Sequence, residues 1–90
     1  MREYLTETNY IYNGVQHRYA FPNGYGASGI KHDYSYGGKN GLWELAVLDN
    51  MGQVDSTTQI TNDVIGHLTW ERVEKYLERV KLLMILVVFI

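Results

Sequence analysis

Ninety residues are enough for one domain and too few for two, since an independent core needs roughly 50 residues or more. With 46% hydrophobic and 20% charged residues the chain lies far from the composition that stays disordered. The absence of cysteine removes disulfide staples, thiolate catalysis and the common zinc frameworks, and a net charge of −2 with scattered Lys and Arg argues against nucleic-acid binding.

In chain order, Met1-Arg2-Glu3-Tyr4-Leu5 places charges where a secretory signal needs an apolar run, so the expected compartment is the cytoplasm. Asn13-Gly14 between Tyr10-Ile11-Tyr12 and Val15-Gln16-His17-Arg18-Tyr19 is a strong hairpin signal, because both central positions of a type I′ turn take positive φ. It predicts strands at 9–12 and 15–21. Pro22-Asn23-Gly24 supplies the next turn, and residues 25–34 read as extended, with Gly26 and Gly29 marking a bulge or a close backbone approach. After a turn at 37–41, the segment Leu42-Trp43-Glu44-Leu45-Ala46-Val47-Leu48 reads as the central strand, nearly continuous in hydrophobicity. A turn at 49–52 leads to a short fifth strand at 53–56.

Beyond Thr57 the period changes. Residues 61–66 read as a short helical turn, and Thr69 as the N-cap of a helix over about 70–83. Trp70, Val73, Tyr76, Leu77 and Val80 fall on one stripe of that helix, leaving its charged residues on the other faces. The pattern predicts an α+β domain: an antiparallel β-meander of four to five strands over about 9–56. The C-terminal helix packs on one face, with its stripe on Trp43, Leu45 and Val47.

Residues 82–90 are wholly apolar but fall well short of the roughly 20 residues a bilayer span requires, so no membrane span is expected. Leaving them in water forgoes about 15–20 kcal/mol of burial. The expected cover is a second subunit, which makes Leu83, Met84, Ile85, Leu86, Val87, Val88, Phe89 and Ile90 the predicted interface of a homodimer.

No constellation of catalytic, cofactor or metal residues stands out. Gly24-Tyr25-Gly26-Ala27-Ser28-Gly29 spells a dinucleotide fingerprint, yet the residues after it lack helical periodicity, so a turn and a strand are expected instead. His17, His32 and His67 lie on separate elements without a second ligand at metal spacing. Glu44 reads as a carboxylate on the outward face of its strand, alternating with inward Trp43 and Leu45. Tyrosine is the unusual component: eight in the chain, six of them between Tyr10 and Tyr36. Tyrosine offers large contact area at low entropic cost, so Tyr34 and Tyr36 are the predicted protein-binding residues.

The segments Phe21-Pro22-Asn23-Gly24-Tyr25-Gly26-Ala27-Ser28, His32-Asp33-Tyr34-Ser35-Tyr36-Gly37, Leu42-Trp43-Glu44-Leu45-Ala46-Val47-Leu48 and Ile60-Thr61-Asn62-Asp63-Val64-Ile65-Gly66, with Asn13-Gly14, resemble a group of small hypothetical proteins from phages and prophages of Gram-positive bacteria. The resemblance covers roughly residues 9–82. It implies a phage-related origin and, with it, the host cytoplasm. The group has no assigned activity, so it transfers no functional residue, and its members end in a charged helix where this chain is apolar. The expected function is therefore a non-enzymatic protein-binding accessory module acting on a host protein, without cofactor. The alternative is a small-ligand-binding or hydrolytic domain with Glu44, His17 or His32 in a pocket between sheet and helix.

Overall fold

The computed structural model describes residues 1–61 and 64–84. Five strands, β1 (Leu5–Ile11), β2 (Gly14–Ala20), β3 (Gly26–Lys31), β4 (Trp43–Leu48) and β5 (Val64–Leu68), form one antiparallel sheet in sequential order. Helix α1 (Trp70–Lys81) follows β5 directly and lies against β3, β4 and β5. The fold is thus an α+β meander with one C-terminal helix.

Strand alternation explains which face the helix covers. His17, Gly29, Leu45 and Ile65 lie in register across four strands, and Tyr19, Ala27 and Val47 across three. These residues share the helix side, where Val73, Leu77 and Val80 are fully buried against Leu45 and Val47. Trp70 packs on Trp43 with ring centroids 4.8 Å apart. Gly29 lies under the Val73 side chain, whose Cγ1 is 4.0 Å from the position a Cβ would take. Thr69 caps the helix, its hydroxyl accepting from the Arg72 N–H.

The other end of α1 is held from a distance. The Asn23 side-chain amide donates to the carbonyls of Val80, Lys81 and Leu83 at 2.8, 3.0 and 2.9 Å, while its Oδ1 accepts from the Tyr25 N–H. The β2–β3 turn therefore donates to carbonyls at and just past the end of α1, of which that of Val80 also accepts from the Leu83 N–H at 3.1 Å.

Several expected boundaries change. The sheet spans residues 5–68 rather than 9–56, and β3, not β4, is its middle strand. The first hairpin turns at Tyr12-Asn13, both at positive φ, so Asn13-Gly14 are not its two central residues. Gly14 begins β2 because a Cβ there would collide with the Lys31 carbonyl oxygen and with His32. Residues 53–56 do not form the fifth strand. Only Val54 bridges Leu48, within a loop where Asp49 and Asp55 cap the local turns. The expected helical turn at 61–66 is replaced, over its described part, by the start of β5. Val64 and Ile65 are β-branched, and pairing with Ala46 and Leu45 completes the free side of β4. Residues 62 and 63 lie outside the described set.

The helix ends at Lys81, two residues before the expected 83, with Leu82 as its C-cap. Of the predicted interface, Leu83 packs partly against the domain's own core and Met84 is 88% exposed. Ile85, Leu86, Val87, Val88, Phe89 and Ile90 lie outside the described residues. Among the described residues no helix is long and apolar enough to cross a membrane.

Candidate protein-binding surface

The meander places the β1–β2 turn, the β3–β4 loop, the end of β5 and the start of α1 at one end of the sheet. The exposed tyrosines Tyr12, Tyr34 and Tyr36 all lie there.

Their loop is built from backbone bonds upward. Ser35 is nearly buried, and its hydroxyl accepts from the His32 N–H and donates to the His32 carbonyl, both at 2.9 Å. The Tyr34 N–H donates to His32 Nδ1 at 3.1 Å. Gly37 follows in the left-handed region, at φ 88°, and admits the tight 3₁₀ turn Gly38–Asn40. The Asp33 N–H donates to the Tyr12 carbonyl at 3.0 Å, joining this loop to the hairpin tip.

Tyr36 is fixed on three sides. Its N–H donates to Glu44 Oε1 at 3.0 Å, its carbonyl accepts from the His67 N–H at 3.1 Å, and its Cβ sits over Gly66, where any side chain would collide with it. A bulge opposite Glu44, with His67 at φ 58°, makes the second of these bonds available.

The ring of Tyr12 stands edge-on to Tyr34 at 5.0 Å and to His32 at 5.2 Å, the preferred arrangement for aromatic pairs. Tyr34 is 78% exposed, and Tyr12 and Tyr36 are each 61% exposed. Wide ring exposure on a backbone pinned by so many bonds is the feature of this end.

The structure brings Tyr34 and Tyr36 into one loop and adds Tyr12, which sequence reasoning left inside a strand. Nothing local marked Tyr12, because a bulky residue rarely takes positive φ and Asn13-Gly14 supplied a more ordinary turn. A second feature was visible in spacing alone. Arg72, Lys75, Tyr76 and Arg79 recur along one row of α1 and line a shallow cleft of about 230 Å³, with the Arg79 guanidinium 5.4 Å from the Tyr76 ring centre.

Glu44, His17 and His32 do not converge. Glu44 faces away from the helix and serves the Tyr36 amide, while His32 belongs to the tyrosine loop. His17 lies on the helix side, stacked on Trp43 at 5.6 Å, edge-on to Trp70 at 6.0 Å, with Nδ1 3.0 Å from Thr8 Oγ1. Burial among these groups lowers the imidazole pKa below its ordinary value. The glycine fingerprint resolves into a turn at Gly24 and strand β3, with no helix after it. Among the described residues no three His, Asp or Glu side chains are grouped to hold a metal ion. A cleft of about 370 Å³ opens at the opposite end of the sheet, between Arg18, Phe21, Tyr25 and Asp49.

Comparison of the chain with family models, curated proteins and solved structures found no match.

Proposed function

We propose that this chain is a non-enzymatic accessory module that binds a partner protein through Tyr34 and Tyr36, with Tyr12 completing the surface. The observation that carries this reading is the combination at Tyr34: a tyrosine 78% exposed on a loop whose neighbours Ser35 and Tyr36 are hydrogen-bonded on both sides. A surface already ordered before binding loses less entropy on association, and tyrosine combines apolar area with a hydroxyl for polar contacts. The resemblance to phage and prophage proteins supports a host protein as the partner and the host cytoplasm as the place.

The test is capture from bacterial lysate with wild type and with Tyr34→Ala/Tyr36→Ala, read by mass spectrometry beside a thermal-shift screen of nucleotides and metabolites. A protein retained by wild type and lost with the double variant is the expected result. A shift of several degrees with one small ligand, and no protein retained, would overturn the reading in favour of the ligand-binding alternative.

A further inference from the structure

Among the described residues β1 is an outer strand of the sheet, paired only with β2. Natural sheets guard such edges with Pro, Lys, bulges or very short strands. The sequence Leu5-Thr6-Glu7-Thr8-Asn9-Tyr10-Ile11 contains neither Pro nor Lys, and its one irregularity lies at the start, between Leu5 and Glu7. The opposite edge is different. β5 has five residues, is bulged against β4 and carries His67 at positive φ.

The two-residue turn determines which backbone groups of β1 are free. Ile11 and Gly14 flank the turn as a hydrogen-bonded pair, and bonded and non-bonded pairs alternate from there. Asn9 and Gln16 exchange bonds, whereas Tyr10 opposite Val15 and Thr8 opposite His17 do not. The N–H and C=O groups of Thr8 and Tyr10 therefore point away from β2. Tyr10 is also 84% exposed.

From this edge we infer that β1 pairs with β1 of a second copy of this chain, antiparallel, about a two-fold axis through Thr8. Such an axis, perpendicular to the sheet, keeps like faces together. Thr8 then faces Thr8 of the second copy, Glu7 faces Asn9, and Thr6 faces Tyr10. Each outward group of Thr8 meets its counterpart, Thr–Thr is a favourable cross-strand pair, and Glu7 gains an amide donor instead of a like charge. Glu7 is further compensated within its own chain by Arg18, at 3.9 Å. Centring the pair on Asn9 would instead set Glu7 against Ile11. The register is self-complementary, which favours a second copy over a foreign strand. The distorted β5 edge makes the assembly close at two copies, in one sheet of twice five strands.

The interface is small, so dissociation falls in the micromolar range. Light scattering and sedimentation of the full chain over about two decades of concentration should show a monomer–dimer equilibrium, and amide exchange should show Thr8 and Tyr10 protected only at the high end. Thr8→Pro removes an N–H that β2 does not use, and Thr8→Lys places two charges face to face. Each should raise the dissociation constant at least about tenfold while unfolding stays cooperative. Thr8→Lys and the wild-type exchange data decide the matter even where Thr8→Pro fails to fold. A wild type that stays monomeric throughout overturns the inference, as does a dimer indifferent to Thr8→Lys with unprotected Thr8 and Tyr10 amides. The latter result would place the contact on another surface, such as the apolar segment after Lys81.

Discussion

Asn23 shows how one polar side chain can join two elements distant in sequence. Its amide faces three carbonyls at the end of α1, and its oxygen holds the Tyr25 N–H within its own turn. Asn23→Ala is expected to lower stability by about 1–3 kcal/mol in chemical denaturation, because the Lys81 and Leu83 carbonyls lose this donor and the Tyr25 N–H loses its acceptor. Asn23→Asp retains the acceptor for Tyr25 but turns a carboxylate toward carbonyls at the negative end of the helix dipole. At neutral pH it should be at least as damaging as alanine, and part of the deficit relative to wild type should disappear once the carboxyl is protonated. His17 makes the complementary case. Burial lowers its pKa in the folded state below the ordinary 6.5, so the unfolded chain takes up the proton more readily. Its contribution is complete above pH 6.5 and is lost as pH falls through the lower, folded value. Melting temperatures between about pH 7 and pH 5 should fall more steeply for wild type than for His17→Gln.

At the scale of elements, the first hairpin and the last strand show how pairing overrides local preference. Asn13-Gly14 is the stronger local turn, but Gly14 lies where β2 passes close to the Lys31 carbonyl. The turn consequently falls on Tyr12-Asn13, and Tyr12 accepts a left-handed conformation that costs roughly 1–2 kcal/mol. Gly14→Ala should destabilise the fold by about 1–3 kcal/mol, since the added methyl meets backbone rather than a flexible side chain. Gly29→Ala serves as the control: like Gly14 it lies in a strand without positive φ, but its Cβ position meets only Val73 Cγ1, at 4.0 Å, an ordinary contact. Equal losses in the two variants, measured by denaturant titration, would show that close approach is not what restricts residue 14. At β5, the Asn-Asp-Val-Ile-Gly pattern suggests a capped helical turn when read locally. In the fold, Ile65 instead lies opposite Leu45 on the helix-covered face.

Across the whole molecule, the sheet separates stability from display. The core runs between sheet and helix through Leu45, Val47, Val73, Leu77 and Val80, whereas the tyrosine loop projects from one end. Leu77→Ala should cost about 2–5 kcal/mol, as expected for truncation of a fully buried leucine. Tyr34→Ala should change stability by less than about 0.5 kcal/mol and yet lose any partner captured by wild type. Paired thermal melts and capture assays on the two variants would test that separation. Loss of partner binding by Leu77→Ala while it remains folded, with Tyr34→Ala unaffected, would place recognition on the helix side instead.

The class of the fold, its antiparallel meander and the helix with its buried stripe were legible in the sequence. Hydrophobic period and capping chemistry act over a few residues and leave a local record, as at Thr69 and along Val73, Leu77 and Val80. Tyr34 and Tyr36 were legible as residue types, though not as members of a pinned loop with Tyr12. Three matters were decided only in the tertiary structure. These are which side chains flank the first turn, which segment completes the sheet beyond β4, and which residue caps the end of α1. Each depends on groups brought together from distant parts of the chain: Lys31 over Gly14, Leu45 beside Ile65, and Asn23 under Val80. Such contacts leave no periodic trace in a single sequence, because the energy that selects them belongs to a pair of segments and not to either one.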